Sequence, residues 1–373
     1  MERKYNIPVN TPLLDGNEKI YINECIDTGW ISSEGPFVKT FEEILSSKVN
    51  QEYGIAVSNG TAALEVAVAA LNIQKGDEVI LPSHTIISCA QAIVKNDATP
   101  VLIDSEMNTW NMDVSQIEAK ITKNTKAIMV VHLYGFPVDM DPIVEISKRY
   151  GLYIIEDTAQ MLGQTYRGKP CGSFGDISTF SFYPNKHITT GEGGMCVTSN
   201  AEIANRCRSL RNLCFEEGER FHHKSLGWNY RMTNLQAALG VAQLENLEKH
   251  VARKREVGEL YYELLSDNSN FSLSPLVNEF SKNIYWVVGI MLPSDSIYNA
   301  KYYIDRLSAL GIGARPFFFP MHLQPVFKSQ KIFQDEKYPI AENLHKFGFY
   351  IPSGLGMPNH DIEVVAKELI NLF

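Results

Sequence analysis

Short apolar runs alternate with helical patterns through the first two-thirds of this 373-residue chain, and that alternation narrows the fold more than any other feature. Runs at 54–57, 78–81, 100–103, 127–133 and 152–155 read as strands. Helical periodicity follows at 62–71, 85–94, 114–121 and 142–150, with Asp113 as the N-cap of the third. Strands separated by helices predict a mostly parallel sheet covered by helices on both faces. The strand pattern continues at 177–183 and 195–198. In such sheets ligands sit beyond the carboxyl ends of the strands, where residues 58–61 and Asp157 fall. Helical periodicity then runs from Thr233 through His250 toward Leu265. It leads into a smaller unit with a strand at 285–291 and helices at 300–310 and 362–372. The expected division is a large domain at 1–250 and a small α+β domain at 251–373, joined by that long helix.

Composition removes several function classes. The net charge of −9, with no basic cluster, opposes binding to nucleic acid or to an anionic membrane. No run of 18 apolar residues is present to span a bilayer, and the first residues lack the apolar core of a secretory signal. The six cysteines form no C-x-x-C pair and no Cys/His group with zinc-ligand spacing, so a cytoplasmic protein without a metal is expected.

The chemistry centres on residues 180–195, Phe-Ser-Phe-Tyr-Pro-Asn-Lys-His-Ile-Thr-Thr-Gly-Glu-Gly-Gly-Met. Lys186 stands there between an apolar run and a glycine-rich turn. A lysine so placed loses solvent, and desolvation frees its amine to attack a carbonyl. Taken alone it reads first as a solvated surface lysine beside a turn. Ser58-Asn59-Gly60-Thr61 precedes a helix, where free N–H groups and a hydroxyl make an anion site or merely a capped start. Asp157 ends a buried strand and needs a cationic partner, a role that a helix cap or a surface ion pair would also explain. Gln160 lies three residues on. Gly227-Trp228-Asn229-Tyr230-Arg231-Met232-Thr233-Asn234 offers polar groups before a helix capped by Thr233, and the proline-stiffened 315–322 segment carries Arg315 and His322. His84, His132 and His187 fall near strand ends without metal-ligand spacing.

In order and spacing these pieces resemble the DegT/DnrJ/EryC1/StrS sugar aminotransferases, a family of fold-type I pyridoxal-phosphate enzymes. The resemblance begins at Ile7-Pro8-Val9, takes in 28–35, 57–64, 76–80, 155–160 and 175–182, and ends at 315–322. It implies that Lys186 holds pyridoxal 5'-phosphate covalently and later moves the proton. Asp157 would face the pyridine nitrogen, and Gln160 the ring hydroxyl. Gly60, Thr61 and Ser181 would hold the phosphate, with Asn229 reaching in from the other subunit of a homodimer. The family places an aromatic ring over the cofactor where this chain has Ile86, so either Ile86 or the nearby His84 would cover it. Trp30, His84, Arg231, Arg315 and His322 are the expected substrate contacts. Within the family, 25–35, 113–116, 131–135, 186–195 and 229–234 are similar to the GDP-perosamine synthases. That implies amino transfer from L-glutamate to C4 of a nucleotide-linked 4-keto-6-deoxyhexose. GDP-4-keto-6-deoxy-D-mannose would become GDP-perosamine for surface lipopolysaccharide and O-antigen. The alternatives are a dTDP- or UDP-linked 4-keto or 3-keto sugar, and a cofactor-binding regulator without turnover.

Overall fold

A computed structural model describes residues 4–215 and 221–373; residues 1–3 and 216–220 of the expected large domain lie outside it. Two helices, α1 (Glu18–Thr28) and α2 (Pro36–Lys48), precede the first strand. The alternating region follows: β1 (Tyr53–Val57), α3 (Gly60–Ala70), β2 (Glu78–Pro82), α4 (Ile87–Lys95), β3 (Thr99–Ile103), β4 (Thr125–Val131), α5 (Met140–Tyr150) and β5 (Tyr153–Asp157). A small hairpin, β6 (Thr165–Tyr166) and β7 (Lys169–Pro170), leads to β8 (Ile177–Ser181), β9 (Gly194–Thr198) and α6 (Ala201–Arg211).

The large sheet has the order β1-β9-β8-β5-β4-β2-β3. Every neighbouring pair from β3 to β8 is parallel, while β9 runs antiparallel to both β8 and β1. The mostly parallel sheet of the sequence reading is present, with one reversed strand that the periodicity did not reveal. The reversal matters for the site. Gly194 opens β9 opposite both Val57 and Ser181, so β9 begins where β1 and β8 end. A side chain at 194 would lie 2.4 Å from the Asn59 carbonyl oxygen, so only glycine lets these strands meet there.

Two local expectations are corrected. The single long helix is two, α7 (Asn234–Glu245) and α8 (Leu247–Leu265), interrupted at Asn246. Thr233 does cap α7, in a reciprocal capping box with Gln236. The helix read at 114–121 is two 3₁₀ turns, with Asp113 accepting from the Ser115 N–H. Beyond α8 come β10 (Ser272–Leu273), β11 (Val288–Met291), α9 (Ala300–Leu310), β12 (Arg315–Pro316), α10 (Pro325–Ser329), α11 (Pro339–Phe347), β13 (Gly348–Ile351) and α12 (Asn359–Ile370). Their strands form a second, antiparallel sheet, β10-β11-β13-β12. The two sheets share one apolar core. Tyr134 at the end of β4 stacks on Phe317 beside β12 at 4.3 Å, and Trp110 packs on Phe317 at 4.9 Å.

Candidate active site

The carboxyl ends of β1, β4, β5 and β8 open into a cavity of about 600 Å³. Lys186 enters it from the loop after β8. That loop is stiff: Phe182 N–H donates to the Gly193 carbonyl, Thr190 N–H to the Phe182 carbonyl, and Gly191 turns with φ of 78°. Lys186 lines the cavity, and its nitrogen lies 4.1 Å from the centre of the Trp286 ring. Burial pushes its pKa down to about 8 against the opposing charge of Asp157.

Asp157 ends β5 and is 3% exposed. One carboxylate oxygen accepts the Ala159 N–H at 3.0 Å and the other the Cys89 thiol at 3.4 Å. Burial raises its pKa. A buried carboxylate held only by neutral donors is set up for a cationic partner from the cavity.

At the start of α3, Asn59 uses its side chain to accept the Ala62 N–H, which leaves the Gly60 and Thr61 N–H groups without intrahelical partners. The Thr61 hydroxyl shares a 2.8 Å bond with Ser88 from α4. Ser181 packs so closely on Gly60 that a β-carbon there would lie 2.8 Å from its own. Two free N–H groups, three hydroxyls and a helix start make an anion cradle.

Ile86 is 42% exposed and lines the cavity. Gln160 also lines it; its carbonyl accepts the Tyr134 N–H at 2.7 Å, which leaves the amide nitrogen uncommitted among the described residues. Three further lining atoms are buried without a partner: Thr179 Oγ1, Asn185 Oδ1 and Trp286 Nε1. Buried polar atoms are normally satisfied, so this lining fits a polar ligand. The anion cradle, the amine and the buried carboxylate together fit pyridoxal phosphate, which presents a phosphate, an aldehyde and a ring nitrogen.

The expected substrate contacts are not among the lining residues of this single chain. His84 is fully buried; its Nε2 bonds the Tyr134 hydroxyl at 3.1 Å, and burial with nearby His345 pushes its pKa down to about 3. It packs behind the cavity against Phe317 and Phe318, so Ile86 rather than His84 can cover a ring. His322 is also buried, bonding Ser83 Oγ at 2.9 Å and Glu342 Oε1 at 3.0 Å. These three have the order of a hydrolytic triad, but Ser83 has no solvent access, so they serve to tie β2 to the second sheet's side. Trp30 is exposed, and its carbonyl accepts from Asn234. Arg231 bridges Val57 through the main chain and bonds exposed Asn229 through Nε. Arg315 is exposed on β12 opposite Tyr350, which does line the cavity.

His132, Glu156 and Cys171 bring ligand-type atoms within 4.8 Å of one another. Glu156 already accepts from His132 and Ser178 and from the N–H groups of Gly172, Phe174 and Gly175. Although burial raises its pKa, the His132 bond and these donors bring it below the usual carboxylate value. His132 Nδ1 accepts the Val138 N–H, so both ring nitrogens are engaged. His132 and Glu156 are thus saturated by protein partners.

The sequence reading missed Ser88, Thr179, Asn185, Trp286, Phe318 and Tyr350. Asn185 adjoins Lys186 and had a signal in that position. Trp286 had none, because its place over the amine comes from packing of the second sheet.

Comparisons with known proteins agree with this geometry. The DegT/DnrJ/EryC1/StrS aminotransferase family matches residues 12–370. A GDP-perosamine synthase of Escherichia coli O157:H7 is 43% identical over 366 residues, which cover 97% of each chain. One of Caulobacter vibrioides is 42% identical over 363 residues, again 97% of each. Among solved structures, the aminotransferase TlmJ from Streptoalloteichus hindustanus has a TM-score of 0.90 at 27% identity, covering 97% of both chains. A match this continuous places every element that builds the cavity within one family: the chain belongs to the DegT/DnrJ/EryC1/StrS aminotransferases and is a pyridoxal-phosphate-dependent sugar aminotransferase.

Proposed function

We propose that this enzyme moves the amino group of L-glutamate to C4 of GDP-4-keto-6-deoxy-D-mannose, giving GDP-perosamine. The observation that carries the chemistry is the convergence of the Lys186 amine and the buried Asp157 carboxylate on one cavity. The choice of sugar rests on relatives called GDP-perosamine synthase that are 37–43% identical over nearly the whole chain.

When bound, pyridoxal phosphate supplies the aldehyde that exchanges amino groups and the ring that accepts electrons from the substrate carbon. The protein does the rest. Gly60 and Thr61 N–H groups, with Ser181, Thr61 and Ser88 hydroxyls, would hold the phosphate. Asp157 would pair with the ring nitrogen and keep it protonated. The free amide of Gln160 would meet the ring hydroxyl, and Ile86 would cover the ring. Lys186 would provide the amine that holds the aldehyde. Once freed by glutamate, the same amine would carry the proton that leaves the donor's Cα, and its depressed pKa suits it to act as a base near neutral pH. The reverse sequence delivers nitrogen to C4 of the sugar. The acting unit is a homodimer in which the partner subunit's Asn229 completes the phosphate site. We place it in the cytoplasm. The six buried, free cysteines fit a reducing compartment, and no helix among the described residues is long and apolar enough to cross a membrane.

Incubation with glutamate and a panel of GDP-, dTDP- and UDP-linked 4-keto and 3-keto sugars tests this reading. The amino sugar should form fastest from the GDP-linked 4-keto-6-deoxymannose. Faster conversion of a dTDP- or UDP-linked sugar would reassign the substrate. No glutamate-driven change in the cofactor's absorbance would leave a binding protein without turnover.

A further inference from the structure

Lys254 sits midway along α8 with 1% of its surface exposed and no carboxylate partner among the described residues. Its ammonium instead donates to two main-chain carbonyls, Trp286 at 2.8 Å and Ser353 at 2.6 Å. Trp286 stands just before β11 and Ser353 just after β13, and these strands pair there, Val288 opposite Ile351. One side chain from the helix that leaves the large sheet thus grips the adjacent ends of two strands of the second sheet. The gripped residue is the one whose indole lies 4.1 Å from the Lys186 nitrogen and lines the cavity.

A buried lysine without a counter-ion is expensive, and hydrophobic residues of like volume usually serve stability as well or better. Burial and the like charge of Lys186 push its pKa down to about 7. Its retention therefore calls for a role that packing alone would not supply. We propose that Lys254 is a positioning residue for Lys186, acting through Trp286: it holds the indole against the reacting amine and so fixes that amine's solvation and direction.

The titratable groups around the pair are Asp157 from β5, His187 beside Lys186, and His250 one turn before Lys254 on α8. His187 bonds the Ile284 carbonyl and His250 the His187 carbonyl, and burial lowers the pKa of both, so Asp157 is the charge that opposes Lys186. Loosening the indole would admit water to the amine and raise its pKa toward its ordinary value.

The proposal rests on Lys186 being the reacting amine, which borohydride reduction and peptide mapping of the bound cofactor test separately. Its own test uses the full chain, with and without cofactor, as wild type, Lys254→Met, Lys254→Arg, Trp286→Ala and the Lys254→Met/Trp286→Ala pair. Acetic anhydride labelling of Lys186 against pH, read by mass spectrometry without cofactor, should give a midpoint near 8 in the wild type. Lys254→Met should raise that midpoint and slow the glutamate half-reaction about tenfold or more, the scale of a misplaced reacting group. Lys254→Arg, which keeps donors for both carbonyls, should restore much of the rate. Trp286→Ala should raise the midpoint by itself, and adding Lys254→Met to it should change little more. Unchanged labelling and rate in Lys254→Met overturn the proposal. So does a Lys254→Met effect that persists in full without Trp286, because the lysine would then act by charge alone. Should Lys254→Met fail to fold, a wild-type midpoint in Trp286→Ala still overturns it.

Discussion

Asp157 shows how much of this site is decided by single donors. Its oxygens are held by one backbone N–H and one thiol, both neutral, so the carboxylate keeps its charge for the cavity. Asp157→Asn preserves shape but cannot hold a proton on a pyridine nitrogen. We expect the variant to bind cofactor and lose about 10²–10⁴-fold in kcat, the usual range for a lost acid–base partner. Near wild-type kcat would reduce Asp157 to a cap for Ala159. The buried lysines make a second residue-scale prediction. Lys186 and Lys254 have folded pKa values of about 8 and about 7, below the ordinary 10.5. Above pH 7 the unfolded chain therefore binds more protons than the folded one, and raising the pH stabilises the fold. Chemical denaturation of the cofactor-free protein should show stability rising from pH 7 to 8.5. The window stops short of the ordinary thiol value of 9.0, where the raised pKa values of buried Cys89 and Cys171 act in the opposite direction. Lys254→Met should flatten the rise, and an unchanged slope in that variant would show that Lys254 is hydrated in solution.

Elements explain which parts of the site were legible beforehand. Strands buried on both faces show little alternation, so β1, β2, β4 and β5 appear in the sequence as apolar runs, and their carboxyl ends could be marked. That is why residues 58–61 and Asp157 could be placed at strand ends, whereas the family resemblance was needed to join Ser181 and Lys186 to them. Strand direction leaves no trace in such runs, so the reversal of β9 and the approach of Gly194 to Asn59 were invisible. The histidines misled for a related reason. His84 and His322 have polar atoms that suit a ligand, but tertiary packing gives them Tyr134, Ser83 and Glu342 instead. Ser88 sits only two residues from Ile86, yet its value comes from α4 packing on α3. The cradle at the α3 start is the element most open to a direct test. Gly60→Ala would force a methyl to within 2.8 Å of the Ser181 β-carbon, and overpacking of this kind costs about 1–3 kcal/mol. Absorbance titration should show pyridoxal phosphate binding weakened about tenfold or more, beyond the lowering of the cofactor-free chain's melting temperature that the overpacking itself causes. Unaltered affinity would remove Gly60 and Ser181 from the phosphate site.

At the scale of the whole molecule, the expected substrate contacts stand outside the cavity of a single chain. Trp30, Arg231 and Arg315 do not line it, and Asn229 lies exposed, bridged through its main chain to Asn212. The Arg231 guanidinium bonds the Asn229 side chain, making a cationic, amide-bearing pair that is not part of its own chain's cavity lining. Such a surface has a use if a second copy brings its phosphate site against it. Complementation between two inactive variants tests this. Lys186→Ala removes the amine from its own chain's cavity. Asn229→Asp sets a negative charge against the phosphate of the neighbouring cavity, a like-charge contact that is severe where water is excluded. In a mixed dimer with shared sites, both lesions fall in one cavity: the one whose own chain lacks Lys186 and whose neighbour carries Asp at 229. The other cavity then has an intact Lys186 and an intact Asn229. Mixing the two proteins under conditions of subunit exchange should restore activity toward one working site per mixed dimer. Exchange followed with differently tagged chains, with no activity returning, would mean that Asn229 serves its own chain or none.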